Sequence, residues 1–228
     1  LESYEAYADY EDVATMVENL FRYVIQETTG KQSITHGEQL LDLGASWKRT
    51  TYREALLEHT GIDYLSHPEA AQIRKLARDR GIEVTDDASW GTALDTIMSS
   101  LVEPHLIQPT FVFDYPAALS PLAKRKPEDP NLAERFELFV LGYEQANAYS
   151  EQNDPVEQRQ RLHEQAVKAA AGDEEAELAD EDFVRALEYG MPPAGGLGIG
   201  IERLIMLVTG EHSIREVVLF PTMRESSN

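Results

Sequence analysis

The chain has 228 residues, enough for one substantial domain with its own core, and its lack of cysteine excludes disulfides, cysteine-based zinc sites and thiol nucleophiles. Its net charge of −21 argues against a nucleic-acid groove built from this chain alone, because phosphate contacts need clustered lysine and arginine. No apolar run suits a membrane span and the N-terminal residues lack a signal-peptide pattern, so we expect a cytoplasmic protein with no membrane partner.

The N-terminal part is predicted to contain two helices and a hairpin. Apolar residues at a helical period predict a helix over residues 10–28, which Gly30 ends. Short β-prone pieces predict a hairpin over residues 34–43. A capping box at residues 51–54 predicts a short helix, which Gly61 ends.

The middle of the chain is predicted to be a helical insertion followed by a buried strand. Residues 63–106 contain two apolar periodic segments, the first closed by Gly81 and the second ended near Pro104. Residues 110–113 are predicted to be a buried strand, which leads into a proline-rich loop over residues 114–130.

Strands and helices alternate through the rest of the chain. Residues 136–142 and 196–201 are predicted strands, and the second leads into a helix over residues 203–209. Helices are also predicted from Asp154 to about Ala171 and from Phe183 to Gly190, and a last strand over residues 217–220. Helices mixed with antiparallel-looking strands, without a βαβ repeat, favour an α+β fold.

A glycine-rich strand carries the strongest chemical signal. The run is Gly196-Leu197-Gly198-Ile199-Gly200-Ile201-Glu202-Arg203-Leu204. Glycines at every second position leave one face of a strand without side chains, so a flat ring can lie against the backbone. Arg203 follows at the start of a helix, where its guanidinium can hold a phosphate or stack on an aromatic ring. The alternative is a glycine strand that merely packs closely on a helix.

This run resembles motif 3 of class II aminoacyl-tRNA synthetases, and its continuation over residues 205–221 resembles the lysyl-specific branch. The resemblance implies an antiparallel sheet flanked by helices and an ATP-dependent ligase that attaches lysine to tRNA(Lys), homodimeric in its full-length form. In that family the motif arginine binds the ATP γ-phosphate and packs on adenine. The resemblance therefore gives Arg203 a catalytic and ATP-binding role, with Gly198 and Gly200 in the ATP site.

Three glutamates recur every seven residues in the second segment of interest, at Glu137, Glu144 and Glu151. Aromatic alternation predicts a strand for its first part, so we interpret the sevenfold spacing as accidental. Carboxylates beside a polyphosphate need Mg²⁺ between them, and hard oxygen ligands suit that ion. For each glutamate alone, the alternative is a solvated surface side chain.

The same segment resembles the lysyl-tRNA synthetase signature. The matching residues are Phe136-Glu137, Gly142-Tyr143-Glu144, Asn147, Tyr149-Ser150-Glu151 and Asn153-Asp154-Pro155. By position, Glu137 and Glu144 match the carboxylates that bind Mg²⁺ and ATP, Asn147 matches a pocket residue near the substrate, and Glu151 matches the reader of the lysine ε-ammonium. Gln152 departs from the usual leucine, which we expect to affect packing more than chemistry.

The N-terminal residues are predicted to be a strand with Glu2 and Tyr4 on one face. The segment resembles the strand after motif 2 in the same family, in which a glutamate and a tyrosine two residues later help to hold the lysine side chain. Glu2 and Tyr4 match them. The alternative is that these are exposed side chains on a frayed terminal strand and bind nothing.

A loop rich in proline resembles the family's loop at the active-site mouth, over residues 109–116 and 120–124. The basic cluster Lys124, Arg125 and Lys126 lies at its end. We expect this cluster to be a solvated loop, and contact with the tRNA acceptor end is the alternative.

By this resemblance, residues 1–62 and 107–228 are the C-terminal part of the catalytic domain and residues 63–106 are a helical insertion. Motif 1, motif 2 and the anticodon-binding OB-fold are absent, so we expect the chain to be a piece of a longer parent protein and predict that it does not aminoacylate tRNA alone. Two alternatives stay open: a paralogue that attaches lysine-like groups to elongation factor P, and a non-catalytic binding module. The acidic pair Glu2 and Glu151 disfavours aspartyl and asparaginyl relatives.

Overall fold

The computed structural model describes residues 1–170 and 180–221. Its strands, in chain order, are β1 (Glu2–Ala6), β2 (Ser33–His36), β3 (Gln39–Asp42), β4 (Lys48–Thr51), β5 (Thr110–Pro116), β6 (Leu132–Val140), β7 (Tyr143–Ser150) and β8 (Ala194–Ile199). Its α-helices are α1 (Tyr10–Thr29), α2 (Tyr52–Thr60), α3 (Ala70–Arg78), α4 (Trp90–Leu101), α5 (Pro155–Ala170), α6 (Glu181–Glu188), α7 (Ile201–Thr209) and α8 (Ile214–Val217).

Six strands form one sheet in the order β1-β8-β7-β6-β5-β4. Neighbouring strands are antiparallel except the edge pair β4 and β5, which is parallel. Strands β2 and β3 form a separate hairpin, as predicted for residues 34–43. Helices lie on both faces of the main sheet, so the α+β class predicted from the sequence is confirmed.

Helix α1 packs on one face of the sheet and anchors the main core. Its N-terminus has the reciprocal capping bonds between Asp9 and Asp12, and Gly30 ends it in the left-handed conformation. The apolar positions Val13 and Phe21 are fully buried. Close approach to β8 depends on Gly195, because a Cβ there would lie 2.5 Å from a methyl group of Val13.

The other face of the sheet is divided between an apolar lobe and a polar region. Helices α2, α3 and α4 bury a second core against β5 and β6, which includes Tyr52, Val112, Tyr115 and Phe139. Beyond this lobe, the same face of β6, β7, β8 and β1 carries polar side chains and glycine. The candidate site lies there. The proposed division of the chain at residues 63 and 106 stays a prediction.

Three features differ from the sequence-based expectations. Residues 48–51 form strand β4 and residues 143–150 form strand β7, although no strand was predicted at either place. The strand predicted over residues 217–220 is wrong: Ser213 caps the short helix α8, and no strand pairs with these residues in the described part of the chain. Within residues 1–170 and 180–221, no helix is long and apolar enough to cross a membrane.

Candidate functional site

Two rows of side chains cross the polar face of the sheet, because residues directly opposite one another in antiparallel strands point to the same side. The first row is Glu137, Asn147, Gly198 and Glu2. The second row is Arg135, Tyr149, Gly196 and Tyr4. Each row crosses β6, β7, β8 and β1 and has a glycine in β8. The glycines leave a depression between the flanking polar side chains.

A cleft of about 230 Å³ occupies this depression. The carboxylate of Glu151 lies over Gly196, since an ideal Cβ on that glycine would fall 1.7 Å from Glu151 Oε1. Burial raises the pKa of Glu151 to about 7. The negative charge of Glu151, then burial, then the charge of Glu2 raise the pKa of Tyr4. Across the described ranges, no lysine, arginine or histidine forms an ion pair with Glu151.

A β-bulge in β7 turns Glu144 toward the same face. Leu138 is opposite Ala146 and Phe139 is opposite Glu144, so Gln145 is an extra residue in β7. Without the bulge, Glu144 and Asn147 would lie on opposite faces, because side chains alternate along a strand. With it, Glu144 shares the face of the polar rows.

An irregularity in the pairing of β5 with β6 has a similar effect, because Asp114 alone stands opposite Glu134 and Arg135. The register between β5 and β6 shifts at Asp114, which has a φ of 60°. This shift places Tyr115 on the same face as Val112. The hydroxyl of Tyr115 then donates to Glu137 Oε2 at 2.7 Å.

The Glu137 carboxylate is held by protein donors on both oxygens. Arg135 Nη2 donates to Glu137 Oε1 at 2.5 Å, and Tyr115 donates to the other oxygen. The side chains of Arg135 and Glu137 are 16% and 13% exposed, so this ion pair is largely out of water. From the sequence, Arg135 was given no role in the site, and Tyr115 was only part of the loop expected at the active-site mouth. A single arginine in an apolar strand gives no spacing signal.

Glu144 and Arg203 meet at the other end of the site. Arg203 Nη1 donates to the backbone carbonyl of Glu144 at 2.6 Å and to its Oε2 at 3.2 Å. Burial and the charge of Glu137 raise the pKa of Glu144, while Arg203 opposes the shift. About half of the Arg203 side chain is exposed, so its remaining donors face solvent.

The helical lobe adds a carboxylate that the sequence analysis missed. Glu103 follows α4, and burial, together with repulsion from Glu137, Asp95 and Glu144, raises its pKa to about 7. The positive charge of Arg203 partly offsets that repulsion. An acidic residue before a proline at the end of an apolar helix was the available signal.

The three alternate glycines of β8 and the following turn have different surroundings. A Cβ on Gly196 would overlap Glu151, and one on Gly200 would lie 3.2 Å from Arg203 Cδ. At Gly198 the nearest atom would be the carbonyl oxygen of Asn147, 3.8 Å away. Of the three, Gly198 therefore leaves open space above the strand.

The profile of a family described as "tRNA synthetases class II (D, K and N)" matches residues 1–224. The chain belongs to this family. Three relatives are named lysine–tRNA ligase: those of Bacillus subtilis (strain 168), Moorella thermoacetica and Halalkalibacterium halodurans. They are 48%, 50% and 46% identical, over 99%, 98% and 100% of this chain. The chain spans 45% to 46% of the length of these class II relatives.

In this class II chain, the residues singled out from the sequence lie in two adjoining groups. Glu2, Tyr4, Asn147 and Glu151 line the cleft. Gly198 also lines the cleft, while Arg203 contacts Glu144 and lies beside Gly200. Glu137 is directly opposite Asn147 and so joins the two groups.

The basic cluster differs from its expectation. Lys126 is not a solvated side chain: its Nζ donates to both oxygens of Asp114 at 2.8 Å and to the Tyr10 hydroxyl at 3.1 Å. Arg125 Nε donates to Glu157 Oε1 at 2.8 Å. These contacts hold the loop against the body of the protein and leave Lys126 little freedom to bind phosphate.

Proposed function

We propose that the parent protein is a lysine–tRNA ligase, which activates lysine with ATP to lysyl-adenylate and transfers it to tRNA(Lys). The observation that carries this proposal is the half-buried Glu151 carboxylate in a cleft beside Glu2 and Tyr4. An ammonium group that enters the cleft would supply the missing positive charge. A substrate without that charge would leave a carboxylate buried and unpaired, which costs on the order of several kcal/mol.

The nucleotide end of the proposed site is formed by Arg203, Gly198 and Gly200. The exposed donors of Arg203 would hold a phosphate as a fork, and the open strip over Gly198 would accept a flat ring against the backbone. The lysine carboxylate would then attack the ATP α-phosphate, while the protein supplies positioning and charge stabilisation.

Glu137 and Glu144 would hold Mg²⁺ in this proposal. Their charges repel one another across the site, and a cation would relieve that repulsion. The described residues include no group of three or more histidine, aspartate or glutamate ligands for a metal. A donor set of two carboxylates still suits Mg²⁺, which takes one or two from the protein and the rest from phosphates and water. When bound, the ion would neutralise charge on the phosphates.

Lysine-dependent ATP–pyrophosphate exchange by the parent protein tests the proposal. Glu151→Gln should raise the KM for lysine at least tenfold, since it removes the charge that meets the ammonium, and Arg203→Ala should do the same for ATP. Matched controls are Glu5→Gln, on the opposite face of β1, and Arg215→Ala, in α8. Unchanged KM values in the first two variants would contradict the assignment.

Calorimetric titration of this chain alone with lysine and Mg-ATP measures whether it binds either ligand without the rest of the parent protein. We propose that it does not aminoacylate tRNA by itself, and robust lysyl-adenylate formation by the chain would overturn that. A parent protein that modifies elongation factor P and charges no tRNA would be the paralogue. A parent that binds neither ligand would be a non-catalytic module.

A further inference from the structure

A single buried guanidinium touches both halves of the site. Arg135 Nε donates to Asn147 Oδ1 at 3.1 Å, and its Nη2 donates to Glu137 Oε1 at 2.5 Å. Its Nη1 donates to the backbone carbonyl of Leu119 at 3.0 Å and to Ser120 Oγ at 3.1 Å. The guanidinium also lies 4.6 Å from the centre of the Tyr115 ring. These contacts occupy most of its donors, so Arg135 is not itself free to bind a ligand.

The contact with Arg135 determines which way the Asn147 amide faces. A guanidinium has donors and no acceptor, so the atom of Asn147 that it meets must be the carbonyl oxygen. The amide nitrogen, Nδ2, is then the atom that points away from Arg135, and the Asn147 side chain lines the cleft. The cleft therefore contains a donor at Asn147 and carboxylates at Glu2 and Glu151.

We propose that Arg135 is a positioning residue for lysine recognition: it holds the Asn147 amide with Nδ2 toward the cleft, to bind the α-carboxylate of the substrate, while it holds Glu137 at the nucleotide end. This inference rests on the proposed function. It makes the orientation of the amide donor at the carboxylate end of the substrate, opposite the acidic reader of the ammonium end, depend on Arg135. Arginine suits the position because its planar fork bonds Asn147 through Nε and Glu137 through Nη2 in a fixed geometry, which the compact ammonium of lysine does not reproduce.

The test compares two ligands on the parent protein by calorimetric titration. Lysine carries a carboxylate, and cadaverine keeps the side-chain ammonium but has no carboxylate. Arg135→Lys keeps the positive charge beside Glu137 and should weaken lysine binding about tenfold or more, since a hydrogen bond to a charged group is lost. Cadaverine binding should stay within about twofold, because it does not use the amide.

A second variant isolates the amide. Asn147→Asp can still accept from Arg135, but it presents an oxygen in place of Nδ2, so it should weaken lysine binding and leave cadaverine binding equal or tighter. Arg185→Lys, an exposed ion-paired arginine of α6, is the matched control and should change neither ligand.

Several results would overturn the inference. Equal weakening of both ligands by Arg135→Lys, together with a lower melting temperature, would indicate a purely structural arginine. A wild-type protein that binds cadaverine as tightly as lysine would show that no carboxylate is recognised. Glu151→Gln separates the two proposals, because it should weaken both ligands. If neither ligand binds the wild-type protein, or Glu151→Gln affects neither, the proposed function fails as well.

Discussion

The carboxylate of Glu151 occupies the space above Gly196, so that a Cβ at position 196 would lie 1.7 Å from Glu151 Oε1 and 2.8 Å from its Cδ. The Tyr4 ring is also near, with its Cε1 3.2 Å from the same point. The absence of a side chain in β8 therefore creates the acidic end of the cleft. Gly196 is therefore needed to make room for the Glu151 carboxylate, whether or not a ligand also lies against the strand.

Gly196→Ala is therefore expected to displace Glu151 and abolish lysine binding at concentrations that saturate the wild-type protein. The stability cost should be about 1–3 kcal/mol, the usual cost of an overpacked site. Gly198→Ala is the matched variant in the same strand, because its Cβ meets nothing closer than 3.8 Å. It should leave Glu151 in place at little cost in stability and weaken ATP binding, so a loss of Glu151's position is specific to Gly196→Ala. Calorimetric titration with each ligand measures both, and normal lysine binding by Gly196→Ala would contradict the relationship.

Lysine affinity is expected to depend on pH through Glu151. Its pKa of about 7 lies above the usual glutamate value of about 4.3, because burial disfavours the charged form. Binding of an ammonium requires the ionised carboxylate, so lysine affinity should fall about tenfold between pH 8 and pH 6. Tyr4, whose pKa is raised, stays neutral over this range.

Titrations of lysine at pH 6, 7 and 8 measure this dependence. Glu151→Gln should bind weakly with no pH dependence between these values, while Glu5→Gln should keep the wild-type profile. Glu103→Gln should keep it as well, since Glu103 lies among the nucleotide-end carboxylates. A pH profile that survives in Glu151→Gln would assign the titration to another group.

Lys126 is expected to stabilise the irregular backbone of β5 at Asp114. Asp114 has a left-handed backbone conformation, which is uncommon for residues other than glycine, and both its oxygens accept from Lys126. Burial lowers the pKa of Lys126, but the hydrogen bonds to Asp114 and Tyr10 outweigh it, and the pKa lies above its ordinary value. Both side chains of the pair are less than a fifth exposed. Removal of the lysine would leave the largely buried Asp114 carboxylate without its counter-ion, with the Tyr10 hydroxyl still donating to Oδ1 at 3.0 Å.

Lys126→Ala should therefore lower the free energy of unfolding by about 3 kcal/mol. The matched control is Lys75→Ala, which breaks the exposed pair with Asp79 and should cost less than about 1 kcal/mol. Chemical denaturation measures both. Equal costs for the two variants would mean that the Asp114 contact does not support the fold.

Local patterns in the sequence predicted the elements that depend on neighbours along the chain. The apolar spacing of α1 and the capping box at Thr51 and Glu54 give the observed helix starts and ends. These signals suffice because caps and amphipathic faces involve residues within one or two turns. The last strand was predicted wrongly because β-prone residues form a strand only beside a partner, which local sequence does not supply.

The site depends on register, which local patterns did not predict. The sevenfold spacing of Glu137, Glu144 and Glu151 was interpreted as accidental, yet it follows from the sheet. The first interval crosses the hairpin turn at Leu141 and Gly142, both with positive φ, and the second passes the bulge at Gln145. The register shifts are at Gln145 and Asp114, and neither position has the glycine or proline that would mark it in the sequence. The family resemblance named candidate residues, but not Arg135, whose partners lie at least 12 residues away except for Glu137.

Glu103→Gln is expected to stabilise the protein at high pH and to have little effect at low pH. The folded-state pKa of Glu103 is about 7, above the value of about 4.3 for an unfolded chain, so the folded state binds its proton more tightly. Stability from this group is therefore fully present below about pH 4.3 and falls as the pH rises from there toward and through 7. Asp95, Glu137 and Glu144 oppose its ionised form and Arg203 favours it.

Urea denaturation of Glu103→Gln and wild-type protein at pH 5 and pH 8 measures this effect. The variant should gain on the order of 1–2 kcal/mol at pH 8, after allowance for solvent screening, and about a third of that at pH 5. Glu83→Gln, an exposed glutamate in the same lobe, should change stability at neither pH. An equal gain at both pH values would mean that Glu103 lowers the stability of the protein through its packing and not through its charge. Mg-ATP added at pH 8 should reduce the difference, because the proposed ion would neutralise the carboxylates that repel Glu103.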